Sequence, residues 1–177
     1  MRCLLILPTL SMALLSAACS PTLNWRDVEV GSQTRMQFPC RPELAERSLG
    51  LAGAPSRAEM KACEAGGLSW SATVFEVSDP ARVTASLREL RMSLSTRLQG
   101  SEASARPVVI PGMTPNDEAR RVVIVGRSDG GGVSRAEAVF VTRGLQVFQF
   151  VVMARQGAPR QWDDSADEFL RSVRWPG

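Results

Sequence analysis

The chain is 177 residues long, with a formal net charge of +3, no histidine, no tyrosine and a single lysine, Lys61. So small a charge, carried by scattered arginines, does not suit nucleic acid. The missing histidine removes the usual base of a catalytic triad and the usual nitrogen ligand for zinc, while the length suits one domain with a real core.

Arg2 precedes a short apolar run, Cys3 to Leu15, and small residues then lead to Cys19. This is the layout of an export signal. The run is too short for a membrane-spanning helix, which needs about 20 residues, and Pro8, Thr9 and Ser11 interrupt it. An uncleaved anchor and a plain secretory signal are the rival readings, the latter requiring no cysteine after the small residues. The segment Leu15-Ser16-Ala17-Ala18-Cys19 resembles the bacterial lipobox. That resemblance implies removal of residues 1–18, lipid on Cys19 and a lipid-anchored chain facing the periplasm. Ser20 implies sorting to the outer membrane, since aspartate at that place usually marks retention in the inner one. Residues 19–24 then form a tether and residues 25–177 a single domain.

Cys3 would leave with the signal and Cys19 would be consumed by lipid, so the domain keeps Cys40 and Cys63. An exported chain with two remaining cysteines most often bridges them. Closing that loop is worth roughly 3 kcal/mol in a chain-entropy treatment. Free buried thiols are the alternative, and a redox role lacks a Cys-x-x-Cys.

Trp25 to Val30 reads as a first strand, turning at Gly31-Ser32. In Gln33 to Phe38, Thr34, Met36 and Phe38 face one way and alternate with Gln33, Arg35 and Gln37. Arg41 to Ser56 has no sustained apolar period and holds Gly50, Gly53 and Pro55, which predicts a loop. Arg57 to Cys63 has helix formers but alternates, and Gly66-Gly67 joins it to Leu68 to Val77, so the pair reads as a hairpin. Asp79-Pro80 opens a helix as N-cap and first position, with Val83, Leu87, Leu90, Leu94 and Leu98 on one face and Gly100 at its end. Ser101 to Glu118 is a long segment punctuated by Pro107, Pro111 and Pro115. Arg121 to Gly126, Glu137 to Thr142 and Leu145 to Ala154 read as strands, the first two apolar on both faces as central strands are. Trp162, Ala166, Phe169, Leu170 and Val173 mark a last amphipathic helix, with Asp163 and Asp164 in its first turn. The order predicts an α+β fold, an antiparallel sheet with two main helices packed on it.

Phe38-Pro39-Cys40, Cys63-Glu64-Ala65-Gly66-Gly67, Pro111-Gly112-Met113-Thr114-Pro115, Val147-Phe148-Gln149 and a closing Phe169-Leu170-x-Ser172-x-Arg174 carry a further resemblance. The pattern is similar to a group of proteobacterial lipoproteins with a Mog1/PsbP-like layout. The resemblance implies a sheet flanked by helices and brings no activity with it, because that fold serves as a binding or assembly module for unrelated partners.

Five places in the sequence offer chemistry. Gly126-Arg127-Ser128-Asp129-Gly130 matches G-x-S-x-G but lacks a histidine and a following helix, so a turn is the better reading. Lys61 has Ala58, not serine, three residues before it, which leaves only a Ser–Lys pair formed in tertiary structure. Asp163, Asp164, Asp167 and Glu168 read as a solvated helix face rather than a cation site. Asp129 to Gly132 reads as a hairpin tip rather than a phosphate cradle. Trp70 and Trp162 read as core rather than as an aromatic ligand box.

No catalytic residue, metal ligand or cofactor is assigned. Val108, Val109 and Ile110, an apolar run between Pro107 and Pro111, are either an edge or core-packed segment or a strip on which a partner docks. The functional expectation is a lipid-anchored, non-catalytic binding or assembly protein with an envelope protein as partner. The alternative is a histidine-independent envelope hydrolase or small-ligand binder.

Overall fold

The structure is a computed structural model that describes residues 22–127, 132–154 and 162–176. The chain forms nine strands and two α-helices among these residues. In order they are β1 (Arg26–Val30), β2 (Thr34–Phe38), β3 (Glu43–Leu51), β4 (Ala54–Ala65), β5 (Leu68–Glu76), α1 (Val83–Arg97), β6 (Ser101–Pro107), β7 (Arg120–Arg127), β8 (Val133–Arg143), β9 (Gln146–Ala154) and α2 (Trp162–Arg171). The fold is α+β and dominated by sheet. Seven antiparallel strands run in the order β3-β4-β5-β9-β8-β7-β6, and β1 and β2 pair separately. Among the described residues no helix is long and apolar enough to cross a membrane.

Each face of the large sheet has its own core. On one face, Trp70, Val74, Val141, Phe148 and Phe150 pack against Met36 and Phe38 of the small sheet and against Trp162, Phe169 and Leu170 of α2. On the other, Leu87, Leu90 and Leu94 of α1 cover Phe75, Val122, Ile124, Ala138 and Phe140. β8 and β9 lie between the two layers and are buried along nearly their whole length, which is why both read as continuous apolar runs. Asp79 caps the start of the first helical segment by accepting from the Ala81 N–H at 2.9 Å.

One expectation is corrected. The predicted loop from Arg41 to Ser56 contains β3, which pairs residue for residue with β4 from Glu43↔Ala62 to Leu51↔Ala54. β3 is an edge strand exposed on both faces except at its end, so no burial pattern marks it. The long segment from Ser101 begins with the other edge strand, β6, which is exposed at every residue. α1 ends just before Gly100, and Gln99 takes the left-handed backbone there, with φ 46°.

The two cysteines are joined, with Cα atoms 6.1 Å apart. The bridge ties the chain just after β2 to β4, and so fastens the small sheet to the large one. Leu23 packs against the first core, and the Asn24 N–H donates to the Pro39 carbonyl at 2.7 Å, so the fastened chain starts before Trp25.

Candidate functional site

A strap from Val108 to Ala119 links β6 to β7 and wraps one end of the sheet. Its path is set by local bonds. The Val108 N–H donates to Ala119, the Met113 N–H to Ile110, and the Thr114 N–H to Thr142 at 2.7 Å. Gly112 turns with φ 84°, and a Cβ there would meet the Trp175 side chain at 3.4 Å. Beyond it, Glu118 accepts from Arg88 at 2.9 Å and pairs with Arg91 at 3.2 Å, both on α1. The hydrogen bond from Arg88, reinforced by Arg91 against the cost of burial, holds the Glu118 carboxyl below its ordinary value.

Within the strap, Val108 and Ile110 are half-buried and pack on the first core, while Val109 between them is 85% exposed. Pro107 and Pro111 offer no N–H, so this stretch cannot add a hydrogen-bonded strand at those points. Facing the strip are Leu170 and Val173, at and beyond the end of α2, with Val139 beneath. The strip and these residues enclose a groove of about 440 Å³.

Three arginines line it: Arg106, Arg121 and Arg171. Arg121 is buried. Its Nε and a terminal nitrogen reach Glu137 Oε1 at 2.6 Å, and its other terminal nitrogen reaches Asp167 Oδ1 at 2.7 Å. Arg171 also donates to Asp167, at 2.9 Å. Burial pushes the Asp167 carboxyl up, but hydrogen bonding and charge from Arg121, joined by Arg171, outweigh it and hold the group below its ordinary value. For Arg121 burial favours loss of charge, and the two carboxylates overcome it and hold the guanidinium charged. Arg106 is exposed and makes no ion pair among the described residues. The groove thus combines an apolar lining with a surplus of positive charge.

Of the residues singled out in the sequence, Val108, Val109 and Ile110 form one wall of this groove. Cys40 and Cys63 lie elsewhere, in a hollow with Met60 and Met153. Cys19 and the signal lie outside the described residues, as do Ser128 to Gly131. Gly126 and Arg127 end β7, and the next element is β8 in a strand pair. In the acidic cluster on α2, Asp163, Asp164 and Glu168 are exposed, Asp163 pairing with Arg135 at 3.1 Å, while Asp167 alone reaches down to Arg121. Lys61 is engaged by the Glu29 carbonyl and by Glu59 at 3.8 Å. Trp70 and Trp162 are buried in the core. Among the described residues no three His, Cys, Asp or Glu side chains are grouped to hold a metal ion.

Sequence reasoning missed Arg106, Arg121, Glu137, Asp167, Leu170 and Val173 as parts of one site. One signal was available. Arg121 and Glu137 are charges bordering otherwise apolar runs, and a charge on a buried strand is rarely left without a partner.

No family model matches the chain, and no curated protein matches it. It is similar to a solved structure from Bacteroides thetaiotaomicron VPI-5482, with 12% sequence identity and a TM-score of 0.37 over 84% of this chain and 47% of that one. The chain thus spans less than half the length of that structure.

Proposed function

We propose that this chain is a lipid-anchored envelope protein whose periplasm-facing domain binds a partner without catalysis, held in the outer membrane through Cys19. The observation that carries the binding part is the groove at Val108–Ile110. An exposed valine stands between two half-buried anchors, with Arg106, unpaired among the described residues, at the rim. The partner that fits is an envelope protein offering an apolar side chain beside a carboxylate, since the groove has one more arginine than it has carboxylates bound to them. The arrangement of a sheet covered on both faces is in keeping with the Mog1/PsbP-like layout, whose members act as binding modules.

The alternative, a histidine-independent hydrolase, draws less support. An acid catalyst needs a carboxyl raised toward neutral pH. The two carboxyls with clear shifts, Glu118 and Asp167, are lowered by arginines.

The test is a photocrosslinking amino acid placed at Val109, with Met92 on the exposed face of α1 as control. A discrete adduct in intact envelopes at position 109, absent at 92 and lost in Arg106→Glu, is the expected result. Equal adducts at both positions, or indifference to Arg106→Glu, would remove the groove from consideration. Mass spectrometry of the mature N-terminus tests the anchor separately: acyl chains on Cys19 are expected, and an unmodified N-terminus would refute it.

A further inference from the structure

The lipid reading gains a geometric consequence from the place where the fastened chain begins. A Cβ on Gly66 would lie 3.1 Å from Leu23 Cδ2 and 3.7 Å from Thr22 Cγ2, so Thr22 and Leu23 sit on the Gly66-Gly67 turn between β4 and β5. Only Ser20 and Pro21 separate the acylated Cys19 from Thr22, a stretch of three residue steps. At no more than 3.3–3.6 Å per residue, that stretch reaches only about 11 Å.

The strand register says what else lies at this end of the sheet. Ser69, just after the turn, pairs with Met153 near the end of β9, and Met153 pairs with Ala136 near the start of β8. Val133, the first residue of β8, pairs with Arg127, the last of β7. Val133 is 60% exposed. The opposite end carries the Ala52-Gly53 and Gly144-Leu145 turns. The groove belongs to that far half, since Arg106 and Pro107 pair with Arg121 and Arg120, the residues of β7 most distant from Arg127. Ten residues of β8 at about 3.3 Å each put the two ends roughly 33 Å apart.

We infer that the end of the sheet bearing Gly66-Gly67 and Val133 rests on the lipid surface, and that the groove is thereby held pointing away from the membrane. The inference rests on the lipidation of Cys19. Among the described charges at that end, Arg41, Arg97, Arg127 and Arg135 stand beside Glu43, Glu64 and Asp163, and the orientation does not rest on this balance. The short tether sets it, because a sheet held within about 11 Å of the headgroups cannot invert without stretching the chain.

The experiment uses the mature chain from Cys19, whose other two cysteines are bridged. Cys19 is coupled to a maleimide lipid in vesicles of phosphatidylethanolamine and phosphatidylglycerol, and a fluorescent amino acid replaces Val133 or Leu145. A nitroxide on the lipid headgroups should quench position 133 several-fold more than position 145. A twelve-residue Gly/Ser insert after Ser20 should erase the difference. Equal quenching with the native tether, stronger quenching at 145, or a difference that survives the insert would each overturn the inference. The coupling is chemical, so the outcome separates from the question of native acylation, which the mass of the N-terminus answers on its own.

Discussion

Gly100 and Gly126 lie back to back where the end of α1 meets β7. A Cβ on Gly126 would fall 2.0 Å from the Leu98 carbonyl oxygen and 3.0 Å from Gly100 Cα, and one on Gly100 would fall 2.5 Å from the Val125 carbonyl oxygen. The contact is backbone on backbone, closed by a hydrogen bond from the Arg127 N–H to Leu98 at 3.0 Å. Gly126→Ala should therefore destabilise the fold by about 1–3 kcal/mol or more, since no side chain can swing aside. Gly53→Ala, where a Cβ has open space, isolates the backbone cost of a left-handed residue and should lose less. Chemical denaturation of the two variants decides the matter; a harmless Gly126→Ala would contradict the close approach.

The buried pair of Arg121 and Glu137 holds α2 to the sheet through Asp167. Breaking it by Glu137→Ala leaves a guanidinium in the core with a single remaining partner and should cost about 3–5 kcal/mol. Arg121→Met combined with Glu137→Leu removes both charges and should recover most of that loss. If the double variant is as unstable as Glu137→Ala, the pair contributes through shape rather than charge.

Acid should weaken the fold while neutral pH should not. Glu118 and Asp167 hold their protons less readily in the folded chain than their ordinary values of 4.5 and 3.8. Their stabilisation is therefore complete above those values and is lost as pH falls below them through the lower folded values. With no histidine in the chain, no side chain of ordinary pKa titrates between pH 5 and 8. Thermal midpoints should be level from pH 6 to 8 and drop below about pH 4. In Glu118→Gln the drop should be shallower. A decline starting near neutrality would disprove this assignment.

Reduction of the bridge between Cys40 and Cys63 should lower stability by roughly 3 kcal/mol, the loop-closure value for this length. Alkylation without reductant should label neither thiol. Labelling of either one in exported protein would show that the bridge does not form.

Elements with one wet face and one dry face were legible. α2 and β2 declare themselves by Trp162, Phe169 and Leu170, and by Thr34, Met36 and Phe38, because burial on one side imposes a period. β3 and β6 were not legible, because an edge strand exposed at Glu46, Arg47 and Ser104 takes its conformation from its neighbour's hydrogen bonds and leaves no pattern of its own. The site was half legible for a similar reason. Val108 to Ile110 stand out between prolines, but their opposite wall comes from Leu170 and Val173, some sixty residues on. Only the packing of α2 brings these together.

The small sheet carries a lesson about the order of assembly. Two strands alone are marginal in water, and the inner face of β1 and β2 is completed by Phe169 and by the Arg174 backbone, which exchanges hydrogen bonds with Arg35 at 2.8 and 2.9 Å. The strands nearest the start of the domain thus wait for nearly its last residues. Until α2 is in place, Met36 and Phe38 have no helix to cover them. A domain built from its N-terminus stays open there, and it locks only when its two ends meet.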